Sequence, residues 1–97
     1  MAPAPVQQPV NSEIISCEGW LYLRDSLRLS DREIRIIQGV FDDEDLEDTA
    51  EVLGSSANFV YRSLQRIYIK LRIGSRTELM ARVMAEYWVF EADQPSW

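Results

Sequence analysis

The 97-residue chain has no histidine and one cysteine, Cys17. A single cysteine excludes an intrachain disulfide, and without histidine a zinc site would need carboxylates for nearly all its ligands. The same gap removes the commonest general base. No glycine-rich phosphate loop and no paired nucleophile and base stand in for it. The sequence therefore predicts no enzyme, no metal and no cofactor. Cys17 lies near Glu13 and Glu18, whose charges disfavour a thiolate, and is expected to be a buried, unreactive residue. No apolar run approaches the roughly 18 residues needed to cross a bilayer. The N-terminus lacks the charged-then-apolar layout of a signal peptide. The expected setting is the cytoplasm, with no membrane.

Positive charge is also scarce, with 10 Lys and Arg against 16 Asp and Glu, a net charge of −6. Such a balance argues against strong nucleic-acid binding, but local fields decide contact and the charges are unevenly spread. Seven acids crowd the segment Asp42–Glu51. From Val52 to Thr77 there is no acid, while Arg62, Arg66, Lys70, Arg72 and Arg76 recur. The acidic segment lacks the internal glycine and closing glutamate of a calcium loop. Its expected roles are to favour a helix N-terminus through the dipole and to suppress non-specific attraction to DNA.

A hydrophobic share of 46% fits one globular domain. Residues 1–10 hold Pro3, Pro5 and Pro9 and read as a tail. Residues 11–28 read as an N-terminal helical extension. Asn11 or Ser12 would cap a helix containing Ile14, Ile15 and Cys17, Gly19 would interrupt it, and Trp20, Leu23 and Leu27 recur at helical spacing. Ser30 and Glu33 form a capping-box pattern that opens a helix with Ile34, Ile37, Val40 and Phe41 on one stripe. Asp42–Asp45 ends it and caps a short helix over Leu46–Leu53, whose inner face is Leu46, Thr49, Ala50 and Leu53. Gly54 supplies a left-handed stop. Ser56 caps a helix to Leu71 with Val60, Leu64, Ile67, Tyr68 and Leu71 toward the core. Gly74 breaks the chain, and Ser75 and Glu78 repeat the capping-box pattern. The last helix carries the stripe Leu79, Val83, Tyr87, Phe90 and beside it Met80, Met84 and Trp88. The main domain spans 29–92, and 93–97 reads as a tail.

The helix from Ser56 turns Asn58, Tyr61, Arg62, Gln65, Arg66 and Ile69 away from its apolar stripe. Asparagine and arginine make paired hydrogen bonds to adenine and guanine edges in a major groove, and arginine also binds phosphate. Three segments, "LSDRE" (Leu29–Glu33), "TAEVLGSS" (Thr49–Ser56) and "IYIKLRIGSRTEL" (Ile67–Leu79), lie in a stretch Leu29–Glu78. This stretch resembles the LuxR/GerE-type helix-turn-helix domain of bacterial transcription regulators over about fifty residues. Around the last segment family members typically read Asn-Ile-Tyr-x-Lys-Leu-x-Val-x-Ser-Arg-x-Glu, which makes it the strongest part of the resemblance. The resemblance implies an all-α, four-helix fold behind the N-terminal extension. In it Leu46–Leu53 is the scaffold helix, residues 57–71 form the recognition helix, and the helix after Ser75 makes a homodimer contact. It further implies binding of double-stranded DNA, with Asn58, Tyr61, Arg62, Gln65 and Arg66 reading or anchoring it and Lys70 and Arg76 as flanking phosphate contacts. Met80, Met84, Tyr87 and Trp88 are expected either to form core against the Trp20–Leu27 segment or to form the dimer seam, methionine and aromatics being enriched in interface cores.

The chain departs from the family pattern at defined places. Phe59-Val60-Tyr61-Arg62-Ser63 stands where members read Thr-Val-Lys-x-His. Asp43 replaces a glycine before the scaffold helix, and Asp45-Leu46-Glu47-Asp48-Thr49 replaces Ser-Asn-Lys-Glu-Ile. Acids there repel phosphate, so binding by one copy is expected to be weak and salt-sensitive. The alternative is a degenerate helix-turn-helix module that has lost DNA and meets a basic protein partner through its acidic helix.

Overall fold

The computed structural model of the chain describes residues 14–93. The expected tail over 1–10, the caps Asn11 and Ser12, and residues 94–97 lie outside this range. The described residues form five helices and no strand: α1 (Cys17–Ser26), α2 (Asp31–Phe41), α3 (Leu46–Leu53), α4 (Ala57–Leu71) and α5 (Arg76–Ala92). None is long and apolar enough to cross a membrane.

Each helix begins at a residue whose side-chain oxygen accepts the N–H three positions on: Ser16, Ser30, Asp45, Ser56 and Ser75. A helix start leaves four amide donors without partners, and these side chains satisfy one each. At Ser30 the capping box is complete, with Glu33 accepting from the Ser30 amide at 2.9 Å. At Ser75 it is not. Glu78 reaches one residue further back and accepts from the Gly74 amide at 2.6 Å. Ser16, not Asn11 or Ser12, caps α1, and Gly19 lies inside that helix instead of interrupting it.

The turns after α1, α2, α3 and α4 each contain one residue in the left-handed region, namely Arg28, Asp43, Gly54 and Arg72. In each turn the following amide bonds back to a carbonyl five residues earlier, as in Glu44 to Gly39 and Ile73 to Tyr68, both at 2.9 Å. This closure satisfies carbonyls that the helix end leaves open. Only one of the four positions is glycine. Arg72, not Gly74, makes the left-handed turn after α4.

The core draws on every helix. Ile15, Leu23, Ile37, Val60, Ile67, Leu79 and Val83 are fully buried, and Ile36 joins them although it lies outside the expected α2 stripe. The extension settles on its own chain. Trp20 of α1 meets Phe41 of α2 edge-to-face, with ring centroids 5.6 Å apart, and Tyr22 meets Phe90 of α5 at 5.0 Å. The hydroxyls of Tyr22 and Ser26 both donate to Glu86, at 3.2 and 2.6 Å. At Gly19 the two helices come closest: a β-carbon there would sit 2.4 Å from Cε1 of Tyr87. Cys17, expected to be buried, is exposed in the first turn of α1, because the α1 face that packs inward is Gly19, Trp20 and Leu23.

Candidate nucleic-acid interface

Helix α4 packs against α2 and α3, and its own sequence decides which side faces out. Val60, Ser63 and Ile67 are buried; Asn58, Tyr61, Arg62, Gln65 and Arg66 are all exposed. Ile69 is 76% exposed on the same side. Residues three and four apart share a helix face, so Arg62 and Arg66 project side by side one turn apart. Neither forms an ion pair with any described residue.

That freedom is selective. Five of the ten cations are tied within the fold: Arg24, Arg35, Lys70, Arg76 and Arg82 all meet carboxylates at 2.8–3.2 Å. Two of these are expected phosphate contacts. Lys70 donates to Glu33 of α2 at 3.1 Å. Arg76 donates to the Val40 carbonyl and to Asp43, both at 2.8 Å. Each pair bridges elements more than thirty residues apart, so each clamps the fold at the edge of the α4 face. Any phosphate at these positions would compete with an internal carboxylate. Pairs this exposed contribute little individually, about 0–1 kcal/mol.

The acidic segment divides into structural and solvent-facing parts. Glu44 is half-buried, accepts two hydrogen bonds from the Arg35 guanidinium at 3.2 and 3.0 Å, and accepts a third from the Thr49 hydroxyl at 2.8 Å. These bonds, Arg35 first, hold its carboxyl below the usual range despite partial burial. Asp45 caps α3. Glu47, Asp48 and Glu51 face solvent. The charge of Asp45 pushes the Asp48 carboxyl up, the sign of like charges held close. Among the described residues no group of three or more acids or cysteines is arranged to hold a metal ion.

Three carboxyls make acid stability predictable. Glu44 is lowered as described. Glu33 is lowered because hydrogen bonds from the Ser30 amide and Lys70 outweigh its partial burial, and Glu86 chiefly by the Ser26 hydroxyl. A carboxyl with a depressed folded-state pKa contributes stability that is present above its unfolded value, about 4.3, and lost as pH falls through that value toward the folded one. Asp48 acts in the opposite sense, but it lies at the surface and is screened. The thermal midpoint is therefore expected to fall between about pH 5 and pH 3, and Glu44→Gln should flatten that decline. Circular-dichroism melts across this range check it; a variant curve as steep as the parent's would remove Glu44 from the account.

The expected dimer seam is divided. Met80 and Met84 are half-buried, and Trp88 is 64% exposed. Tyr87, at 5%, is in the core against Gly19 and is not available to a second copy. The outer side of α5 is instead lined by small residues, Ala81, Ala85 and Ala92, around Trp88. Sequence reasoning also passed over Arg32, whose guanidinium lies over the ring of Phe59 in the first turn of α4. The residue types were visible, but a contact between positions 32 and 59 leaves no local pattern.

Comparison with protein-family models, curated proteins and solved structures finds no match for this chain.

Proposed function

We propose that this chain is a small transcription regulator of the LuxR/GerE helix-turn-helix type that binds double-stranded DNA by laying α4 in the major groove. The observation that carries the reading is the availability of Arg62 and Arg66. In a chain with more acids than bases, they stand exposed, and without an ionic partner among the described residues, on the outward side of a well-capped helix. Duplex DNA is a dense array of negative charge, and arginines presented on a rigid helix meet it without first breaking internal pairs.

Further features support the family reading. Helices α2 to α5 are four in number, and α3 and α4 are joined by a short turn through Gly54. Asp43 adopts the left-handed conformation at the place where family members carry glycine. Aspartate tolerates that region better than most residues, which accounts for the exchange. Asn58, Tyr61 and Gln65 complete the outward face and would read base edges. Lys70 and Arg76 serve the fold first, and the acids at the start of α3 keep affinity low.

Two copies would place two α4 helices on a palindromic site, and the outer face of α5 suits that pairing. Trp88 is the exposed anchor, flanked by alanines that allow close approach. Sedimentation at micromolar concentration is expected to give a dimer, and Trp88→Glu a monomer with unchanged helical content. A parent chain that sediments as a monomer both alone and on DNA would remove the pairing.

The acid on α3 favours a second reading, a protein-interaction module that meets a basic partner through Glu47, Asp48 and Glu51. Selection from a random DNA pool separates the two: recovery of a defined motif supports DNA reading, and no enrichment at low salt supports the module.

A further inference from the structure

Arg32 sits between two acids in sequence, Asp31 and Glu33, yet pairs with neither. Asp31 accepts from Arg24 at 2.9 Å. Glu33 accepts from the Ser30 amide and from Lys70. Both neighbouring carboxylates are thus engaged elsewhere, and no described residue forms an ion pair with Arg32. Among the described residues it meets an aromatic ring instead: the guanidinium carbon lies 5.4 Å from the centroid of Phe59. Phe59 is half-buried in the first turn of α4, three residues before Arg62. Helix α2 therefore delivers a cation to the start of the candidate reading helix, on which Arg62 and Arg66 stand about one and two turns further along.

We propose that Arg32, held over Phe59, is a further DNA contact that grips a backbone phosphate beside the groove entered by α4. This rests on the DNA reading above. At 5.4 Å from the centroid the guanidinium is drawn to the ring by its charge, and its N–H groups match two phosphate oxygens at once. The ring limits where the side chain wanders, so less freedom is lost on binding. Phe59 is the positioning residue and Arg32 the contact. The pair also bears on a departure from the family pattern: lysine is missing at Tyr61 and threonine at Phe59, and the ring at 59 brings in a cation from another helix.

The test is fluorescence anisotropy with a duplex selected from a random pool and with an unrelated duplex, over a salt series. Arg32→Ala is expected to weaken both duplexes about tenfold near 0.1 M salt and to make the log–log salt slope shallower by about 0.9, the signature of one lost phosphate contact. Phe59→Leu keeps apolar bulk and total charge but removes the ring. It should weaken binding several-fold in the parent, and not at all once Arg32 is alanine. Phe59→Tyr restores the ring and should restore affinity. Melting curves verify that each variant is folded, and Arg32→Lys, which keeps charge but loses the planar edge, gives a second measurement if Arg32→Ala is unstable. Parent-like affinity and slope in both Arg32 variants, alongside lost binding in Arg62→Ala/Arg66→Ala, would overturn this contact and leave the DNA reading intact. A parent chain that binds neither duplex at low salt would overturn both. A Phe59→Tyr chain as weak as Phe59→Leu would overturn the role of the ring.

Discussion

An Arg62→Ala/Arg66→Ala chain is expected to lose DNA binding while keeping its fold. A well-placed arginine contact contributes about 1–3 kcal/mol, so losing two weakens binding by roughly 30-fold to 10⁴-fold. The salt dependence should flatten by about 1.8 in log–log slope if both reach phosphate. The fold has no stake in either side chain. Both are exposed, neither is ion-paired among the described residues, and alanine is the better helix former. Far-ultraviolet circular dichroism should therefore match the parent. Arg82→Ala supplies the control for charge alone, because Arg82 lies on α5 and pairs with Glu86 at 3.2 Å. Binding that weakens equally in the control would reflect net charge and not a reading helix. A double variant that binds like the parent would take α4 out of the function altogether.

The second large effect concerns stability. Gly19→Val is expected to destabilise the chain by about 3 kcal/mol, a fall of roughly 12–24 °C in melting temperature for a domain of this size. Glycine inside a helix costs about 1 kcal/mol relative to alanine, so its presence in α1 calls for a compensating reason. That reason is the Tyr87 ring: a β-carbon would lie 2.4 Å from Cε1 and 3.0 Å from Cδ1, with Ile15 at 3.1 Å behind it. None of these neighbours yields easily, since Tyr87 and Ile15 are both buried. Alanine at 19 should be milder, its helix preference offsetting part of the clash, while valine adds two more carbons to a full space. Truncating the ring with Tyr87→Ala should recover part of the loss, giving a coupling energy in a double-mutant cycle. A Gly19→Val chain that melts with the parent would mean that α1 does not lie on α5 at this point. The consequence extends beyond stability, because α1 joins α5 to α2 and so anchors the helix that carries Trp88.

Both expectations depend on features that differ in how far the sequence reveals them. Ser30, Asp45, Ser56 and Ser75 announce their helices because a cap is a bond between residues three apart. Gly54 announces its turn because no other residue is so free in the left-handed region. Gly74 marks the break between α4 and α5, although Arg72 makes the left-handed turn there. The same habit misleads at Gly19, which looks like a breaker and is a contact. The outward placement of Arg62 and Arg66 follows from counting residues around a helix. Tyr87 falls on two adjoining stripes in that count, and nothing local assigns it to the core instead of the surface.

The amino-acid order alone determined an all-helical chain, where α2 to α5 start, and which side of α4 is polar, because caps and periodicity are properties of neighbouring residues. Tertiary structure decided which cations stay available. Lys70 and Arg76 are held by Glu33 and Asp43, Arg32 is set over Phe59, and Arg62 and Arg66 are left without an ion pair among the described residues. Pairing of charges depends on distances between side chains far apart along the chain, and those distances exist only once the helices have packed.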